Sequence, residues 1–355
     1  MTARTQMAEF LAMNASSPTK TFVLEAHPKG EPAALLAGFS DVESLARTDD
    51  AYLFKLSTAE GVFWVDQLDD RFWSFHTDMP TDAAGSYLNK QVSNRRDLDW
   101  LWLPSEHLRD PWPGAQRRKT RTKFEGTKLL GGTSSEFDDL KLQASGRGAV
   151  LLDRFLHEEG LRASAAYDAV EVVVEDEMFG VIREGVNRRG RFAVSGDSLE
   201  LHFQFVQNIV DRYRNLVTLA EQKSIGWSRI NEDDPDAGAR LTGGPISIRF
   251  SRSIPDLEVF VDELFSSRDP FRLWGIAKVT GNEAEVEAVD LHVGEQLSFD
   301  IGEQWMRVYL RNGGCGNTIA RLVSNLQHRF DAALSFTDPE LQAALQASPL
   351  ASSSL

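Results

Sequence analysis

A glycine-rich segment has the composition in this sequence that best suits ligand chemistry. It spans residues 311–318, between a predicted strand and a predicted helix, and reads RNGGCGNT. Glycines let backbone N–H groups approach an anion closely, and the start of a helix carries positive potential. The segment has neither the lysine of a Walker A loop nor the spacing of a dinucleotide fingerprint. We predict either a site for a phosphate-bearing ligand or a tight turn in which Asn317 or Thr318 caps the helix. The residues expected to hold an anion are Arg307, Arg311, Gly313, Gly314, Gly316, Asn317 and Thr318.

Cys315, the only cysteine, and the 7 histidines show no catalytic or metal-binding spacing. One cysteine excludes an intrachain disulfide, and we expect no cysteine-based zinc site. A helix that begins at Cys315 places His328 about 20 Å away along its axis, so the two cannot form a nucleophile–base pair. No two histidines are four residues apart, and no H-E-x-x-H motif occurs. We therefore predict no catalytic residue, no metal ligands and no cofactor.

Two basic clusters could contact a polyanion such as a nucleic-acid backbone. The first lies in a segment predicted to link two units, and the second surrounds the tip of a predicted hairpin. The other interpretation is that both are solvated charges of a linker and a turn. The candidate polyanion-binding residues are Arg117, Arg118, Lys119, Arg121, Lys123, Arg183, Arg188, Arg189 and Arg191.

The overall composition is that of a globular protein with an acidic surface. The 355 residues are 42% hydrophobic and 26% charged, and the formal net charge is -15. Such a surface repels nucleic acid on average, so that any binding would need a local basic patch. The start of the chain lacks the pattern of a secretory signal, and no apolar run approaches the roughly 20 residues of a membrane helix. We expect a cytoplasmic protein that does not enter a membrane.

Periodicity predicts an α+β fold of three tandem units, each ordered strand, helix, strands and helix. Alternating strands such as Ile246–Phe250 indicate antiparallel sheets with helices covering one face. The order of elements in the last two units is similar, in topology alone, to that of TATA-binding-protein repeats. The predicted boundaries are a flexible N-terminus at 1–19, units at 20–103, 138–222 and 245–335, a basic linker at 104–137, an acidic linker at 223–244 and a flexible tail at 336–355.

These observations favour a non-enzymatic binding or scaffold protein that works as a subunit of a multiprotein complex. No catalytic arrangement is visible, whereas three sheet–helix units would offer large surfaces. Two alternatives stay open. One is a nucleic-acid-associated protein that uses the basic clusters, and the other is an enzyme or sensor for a phosphate-bearing ligand at residues 312–318.

Overall fold

The computed structural model describes residues 2–12, 18–130, 139–156, 161–229 and 239–346. The described residues form three antiparallel sheets of 11, 2 and 6 strands together with helices, which confirms the predicted α+β class. No helix within these ranges is both long and apolar enough to cross a membrane.

The largest sheet contains every strand of the first half of the chain. Its order is β2-β3-β4-β5-β1-β11-β10-β9-β7-β8, and β6 pairs with the end of β1 on the side opposite β5. The strands are β1 (Thr19–Ala26), β2 (Val42–Arg47), β3 (Leu53–Thr58), β4 (Gly61–Asp66), β5 (Phe72–Thr77), β6 (Leu98–Trp100), β7 (Gln116–Glu125), β8 (Asp139–Ser145), β9 (Tyr167–Asp176), β10 (Gly180–Asn187) and β11 (Arg191–Gly196).

The second half of the chain builds a two-stranded hairpin and a six-stranded sheet of order β15-β16-β17-β18-β14-β19. The hairpin pairs its two strands with Trp227 opposite Leu241. The strands are β12 (Gly226–Arg229), β13 (Ala239–Thr242), β14 (Ile246–Arg249), β15 (Leu273–Thr280), β16 (Glu283–Asp290), β17 (Gln296–Gly302), β18 (Trp305–Leu310) and β19 (Ser335–Phe336).

The helices cover the sheets through amphipathic faces. The longest begins after Ser198, whose side chain accepts a hydrogen bond from the Leu201 N–H, and it packs against the helix that follows the glycine-rich segment. The helices are α1 (Ala3–Ala12), α2 (Pro32–Ala37), α3 (Thr81–Ser93), α4 (Ser105–Arg109), α5 (Arg147–Phe155), α6 (Leu199–Gln222), α7 (Leu257–Leu264), α8 (Gly316–Arg329) and α9 (Pro339–Gln346).

The first two predicted units are not separate sheets. Strand β1 pairs with β5 on one side and with β11 on the other, and Phe22 lies opposite Arg191. The segments 20–103 and 138–222 therefore share one continuous sheet. Pairing between strands far apart in sequence has no local signature, so the repeated order of elements could not show it.

The predicted basic linker contains a strand of the large sheet. Strand β7 lies between β8 and β9, with Thr120, Thr122 and Phe124 buried and the basic residues half-buried or exposed. Long arginine and lysine side chains cover a sheet with their aliphatic stems while their charges stay near water. A charged sequence is therefore compatible with this strand.

Both predicted flexible ends carry helices. Met7 and Leu11 of α1 are buried against Leu53 and Trp64, and α9 is anchored by Leu341 and Leu345. Burial of apolar side chains holds both helices in place. Residues 13–17 and 347–355 lie outside the described ranges, as does 230–238 of the predicted acidic linker.

Candidate metal centre between the large sheet and the six-stranded sheet

Helix α8 lies at the junction of the two sheets and is buried on every side. Residues 316–328 are all buried, although many are polar. A helix covered all round must satisfy its polar side chains with other protein groups. The polar side chains of α8 therefore bind charged side chains that come from both sheets.

The end of strand β1 directs two potential metal ligands towards the start of α8. Glu25 lies on β1 and His27 follows two residues later. Successive side chains of an extended chain alternate between faces, so residues two apart share a face. The backbone stays extended at this point, since the His27 N–H donates to the Asp97 carbonyl at 2.9 Å.

The six-stranded unit contributes two further ligands. His292 lies in the turn after β16, where the Asp290 carboxylate accepts a hydrogen bond from its N–H at 3.1 Å. Cys315 occupies the N-cap position of α8. Glycine is required at the next position, because a Cβ on Gly316 would lie 2.1 Å from the Val217 carbonyl oxygen of α6. The contact between α6 and α8 thus sets the position of the thiol.

Glu25, His27, His292 and Cys315, called here the junction cluster, place four ligand atoms within 4.8 Å of one another. The Cys315 Sγ lies 3.7 Å from His27 Nε2 and 3.4 Å from Glu25 Oε1. His27 Nε2 lies 3.3 Å from Glu25 Oε1, and His292 Nε2 lies 2.9 Å from Glu25 Oε2. Glu25 and His292 are fully buried, whereas the His27 side chain is 35% exposed.

Arg71 contacts two members of the cluster, Glu25 and Cys315, together with the neighbouring Glu221. Its Nε donates to Glu25 Oε1 at 2.6 Å, and its Nη2 contacts Glu221 at 2.7 Å and the Cys315 Sγ at 3.4 Å. Glu221 also accepts a hydrogen bond from the Gly316 N–H at 2.8 Å. A guanidinium can bridge several acceptors in this way because its donors form a fixed planar fork.

The protonation of the cluster follows from burial and these contacts. Burial by itself would raise the pKa of Glu25, but hydrogen bonds from His27 and His292 and the charge of Arg71 hold it well below its usual range. Burial and the neighbouring Glu25 charge raise the pKa of the Cys315 thiol well above its ordinary value. Both effects favour the protonated thiol over the thiolate as long as no metal is bound.

A buried ionic network lies beside the cluster and connects the same two sheets. The Arg321 guanidinium of α8 donates to Asp99 of β6 and to Asp290 at the end of β16, and all three side chains are essentially unexposed. Thr318 donates to Asp290 as well. Removing one member of such a network leaves an uncompensated buried charge.

A second group of buried polar side chains, called here the histidine chain, lies between the large sheet and α6. The Thr21 hydroxyl contacts His76 Nδ1 at 2.8 Å and His202 Nε2 at 2.7 Å. His202 Nδ1 then contacts Glu184 Oε2 at 2.8 Å. These four residues are at most 3% exposed, so no substrate can reach the hydroxyl.

The structure places the predicted anion-binding residues of the glycine-rich segment in different environments. Asn317 and Thr318 are buried with their side chains hydrogen-bonded to protein groups. Arg311 is exposed and lies 3.8 Å from Glu287, and Arg307 stacks over Trp305. The Glu221 carboxylate accepts a hydrogen bond from the Gly316 N–H and lies at the N-terminus of α8, where the helix dipole is positive. The predicted ligand residues Gly313, Gly314 and Gly316 belong to this turn, and Gly313 adopts a φ of 87°.

The first basic cluster is divided by the pleat of β7 and partly neutralised. Arg121 pairs with Asp168 at 2.6 Å and Lys123 pairs with Glu125 at 2.5 Å. Arg117 lies over the Tyr167 ring and donates to a backbone carbonyl. Of the two remaining members, Arg118 is exposed and Lys119 is half-buried.

The second basic cluster separates into different environments. Arg183 is exposed and lies 3.7 Å from Glu171. Arg188 is buried, with Asp168 at 3.4 Å and Asn325 at 3.1 Å, so it cannot contact a nucleic-acid backbone. Arg189 and Arg191 are half-buried beside a surface cavity.

Sequence reasoning missed the junction cluster because its four residues come from three separate segments. The local signal was limited to Glu25-Ala26-His27 at the end of a strand, a spacing that puts both ligands on one face. Neither His292 nor Cys315 is close to this segment in sequence. Their proximity depends on the packing of the two sheets around α8.

The chain belongs to the MJECL33-like protein family, whose sequence profile matches residues 12–344. It is 27% identical over 361 residues to "Uncharacterized protein MJECL33" of Methanocaldococcus jannaschii, covering 88% of this chain and 84% of the relative. No solved structure matches the chain.

Proposed function

We propose that this member of the MJECL33-like family is a metal-binding protein whose junction cluster holds one zinc-like divalent ion. The observation that supports it is the convergence of a carboxylate, two imidazoles and a thiol within 4.8 Å. These are the ligand types that zinc prefers in proteins.

The distances in the cluster agree with tetrahedral coordination. Metal–ligand bonds of about 2.0 Å to nitrogen or oxygen and about 2.3 Å to sulfur separate the ligand atoms by roughly 3.3–3.7 Å. Three distances among Cys315 Sγ, His27 Nε2 and Glu25 Oε1 are 3.7, 3.4 and 3.3 Å. All pairs of ligand atoms lie within 4.8 Å, so an ion at the centre would draw the more distant of them towards it.

Charge balance supports a divalent ion in this position. Binding a metal releases the thiol proton, so the site would contain three negative groups: the Cys315 thiolate, Glu25 and Glu221. A divalent cation together with Arg71 supplies three positive charges. Complete compensation matters because buried charges are costly unless they are paired.

The role proposed for the ion is to join the two halves of the protein. Two ligands come from the end of β1 and two from the six-stranded unit, and three of the four residues are buried. Four protein ligands leave no open position, as is typical of structural zinc sites. The ion would act with the Arg321 network to fix how the sheets pack.

Cobalt substitution with metal quantification tests this proposal. The purified chain should bind one zinc or cobalt ion per molecule, and the cobalt form should show a thiolate-to-metal charge-transfer band. Cys315→Ser should abolish that band, and His292→Gln should lower the metal content because it removes a buried ligand.

His107→Gln is the matched control for the histidine variant. His107 is also fully buried, but its Nε2 contacts the Ala344 carbonyl rather than the cluster. This variant should retain one bound ion. Metal content that is unchanged in both Cys315→Ser and His292→Gln would refute the proposal, as would wild-type protein that binds neither zinc nor cobalt.

A scaffold role is a second proposal, favoured by exposed apolar side chains on β15, an edge strand of the six-stranded sheet. Trp274 and Ile276 on the edge strand β15 are 48% and 67% exposed on its outer face. Edge strands with apolar side chains are common sites for pairing with another protein. We propose that a protein partner contacts this edge.

Co-purification from the native source tests the scaffold proposal. Trp274→Asp should remove a partner that is present at a fixed stoichiometry, while Leu68→Asp, on a separate exposed loop, should retain it. Retention of the same partner by Trp274→Asp would exclude this edge. Neither result depends on metal content, which distinguishes the two proposals.

A further inference from the structure

A surface cavity of about 370 Å³ lies between the start of α3 and the turn that joins β10 to β11. Its polar lining includes Arg189 and Arg191 from the turn and Ser86 and Asn89 from α3. Trp100 lines its buried side. The volume falls within the range of small-ligand sites, and the lining combines an apolar wall with a few convergent polar groups.

The two arginines of this cavity differ from the other arginines nearby. Among the described residues, no carboxylate lies within 4 Å of the guanidinium of Arg189 or Arg191, whereas Arg121, Arg183 and Arg188 all have carboxylate partners within that distance. Both are partly desolvated by the protein. A partly desolvated cation with no carboxylate in ion-pair contact is unfavourable, so an added anion would be stabilised here.

The backbone of the turn is held in place before any ligand binds. The Asn187 side-chain oxygen accepts hydrogen bonds from the N–H groups of Arg189 and Arg191 at 3.0 and 3.2 Å. Gly190 has a φ of 63°, and a Cβ there would lie 2.5 Å from the Leu101 Cβ. Arg189 also stacks over Trp102, with 5.2 Å between its Cζ and the ring centroid. Such preorganisation reduces the entropy lost on binding.

We propose that this cavity binds a small phosphate-bearing ligand through Arg189 and Arg191. Guanidinium groups form paired hydrogen bonds with phosphate oxygens, and the hydroxyl of Ser86 and the amide of Asn89 offer neutral donors. Asp82 of α3 also lines the cavity, so two positive side chains and one negative one leave a net charge of +1. This modest charge suits one phosphate group better than a polyanion. The site is independent of the junction cluster.

Calorimetric titration with phosphate, pyrophosphate and AMP tests the proposal on the full chain. At least one probe should bind with a dissociation constant below about 1 mM, and Arg189→Gln or Arg191→Gln should weaken it at least about tenfold, since each removes a charge-assisted contact. Arg183→Gln is the matched control, because Arg183 lies on the same hairpin but is exposed and paired with Glu171. It should change binding less than about twofold.

Three results would overturn the proposal. One is that none of the probes binds, and another is that Arg183→Gln weakens binding as much as the other two variants. The third is that an oligonucleotide binds with a steep salt dependence while the small anions do not, since this would indicate a polyanion surface. Arg191→Lys retains the charge and should restore part of the affinity. Circular dichroism on each variant separates lost binding from lost folding.

Discussion

The junction cluster and the histidine chain contain similar side chains in very different arrangements. Both combine a buried glutamate with two histidines and one hydroxyl or thiol side chain. In the histidine chain, each polar atom contacts the next in a line that runs from Glu184 to His76. In the junction cluster, the ligand atoms face a common point. Residue types alone therefore do not distinguish a metal site from a structural hydrogen-bond network, whereas convergence does.

Exposure separates the two regions further. The histidine chain is buried between the large sheet and helix α6, which covers it. All four of its residues lie on strands of that sheet or on α6. The junction cluster spans two sheets, and His27 connects it with solvent. An ion can enter and leave only where such a path exists. We therefore predict that bound metal determines how much the junction cluster contributes to stability. In the histidine chain, hydrogen bonding and protonation should determine that contribution.

Metal removal should produce the largest effect. At a metal concentration about a thousand times its dissociation constant, binding stabilises the folded chain by about 4 kcal/mol. Chelation should lower the free energy of unfolding of the wild type by about this amount, measured by denaturant titration. Cys315→Ser should show little further loss on chelation. An equal loss in both proteins would mean that the chelator acts elsewhere.

Replacing the hydroxyl at the centre of the histidine chain should have the next largest effect. Thr21→Val keeps the shape of the side chain but leaves His76 Nδ1 and His202 Nε2 without their partner. Two unsatisfied buried polar atoms should cost about 3 kcal/mol. Bound metal should stay at one ion per chain. Loss of the metal in this variant would show that the two regions are coupled.

Acidification should destabilise the protein through its buried histidines. Burial lowers the pKa of His76 to about 3. The unfolded chain therefore binds one more proton at this residue between about pH 6.5 and 3, so stability is lost as pH falls through that range. The loss should reach about 2 kcal/mol at pH 5 for this one group.

His76→Gln isolates that contribution. Burial also lowers the pKa values of His107 and His328 to about 3. All three histidines therefore contribute to the loss of unfolding free energy of the wild type as the pH falls. In the variant, the number of protons taken up on unfolding should be smaller by up to one. It is measured as the slope of the free energy of unfolding against pH between pH 7 and 5. An unchanged slope would show that His76 is not neutral in the folded chain.

Removal of the half-exposed ligand should have the smallest effect on stability. In metal-free protein, His27→Asn removes the contacts of a side chain that is 35% exposed, while Arg71 and His292 still hold Glu25. The free energy of unfolding should therefore change by less than about 1 kcal/mol. The same variant should bind cobalt or zinc more weakly. A large destabilisation without metal, combined with unchanged metal affinity, would assign His27 a purely structural role.

Much of the fold was predictable from local patterns. Val170, Val172 and Val174 alternate with less buried residues along β9, and apolar residues recur at helical spacing along residues 199–216 of α6. These elements bury one face, so their periodicity is recorded in the sequence itself. Strand β7 escaped prediction because its charged side chains cover a sheet through their aliphatic stems, which a composition-based interpretation assigns to solvent.

The candidate sites were much less predictable. The segment at 311–318 was correctly placed between a strand and a helix, but its helix terminus is occupied by Glu221 from α6. Arg188 and Arg189 are adjacent in sequence, yet one pairs with Asp168 inside the protein and the other faces a cavity. Which partner reaches a side chain depends on contacts between distant segments.

The sequence by itself determined the α+β class, most helices and strands, and the absence of an intrachain disulfide. Each of these depends on residue type or on spacing within one segment. Tertiary structure alone decided that β1 joins two predicted units into one sheet and that Glu25, His27, His292 and Cys315 meet beside α8. The reason is physical: burial, ion pairing and metal coordination act over a few ångströms in space, and 288 residues separate His27 from Cys315 along the chain.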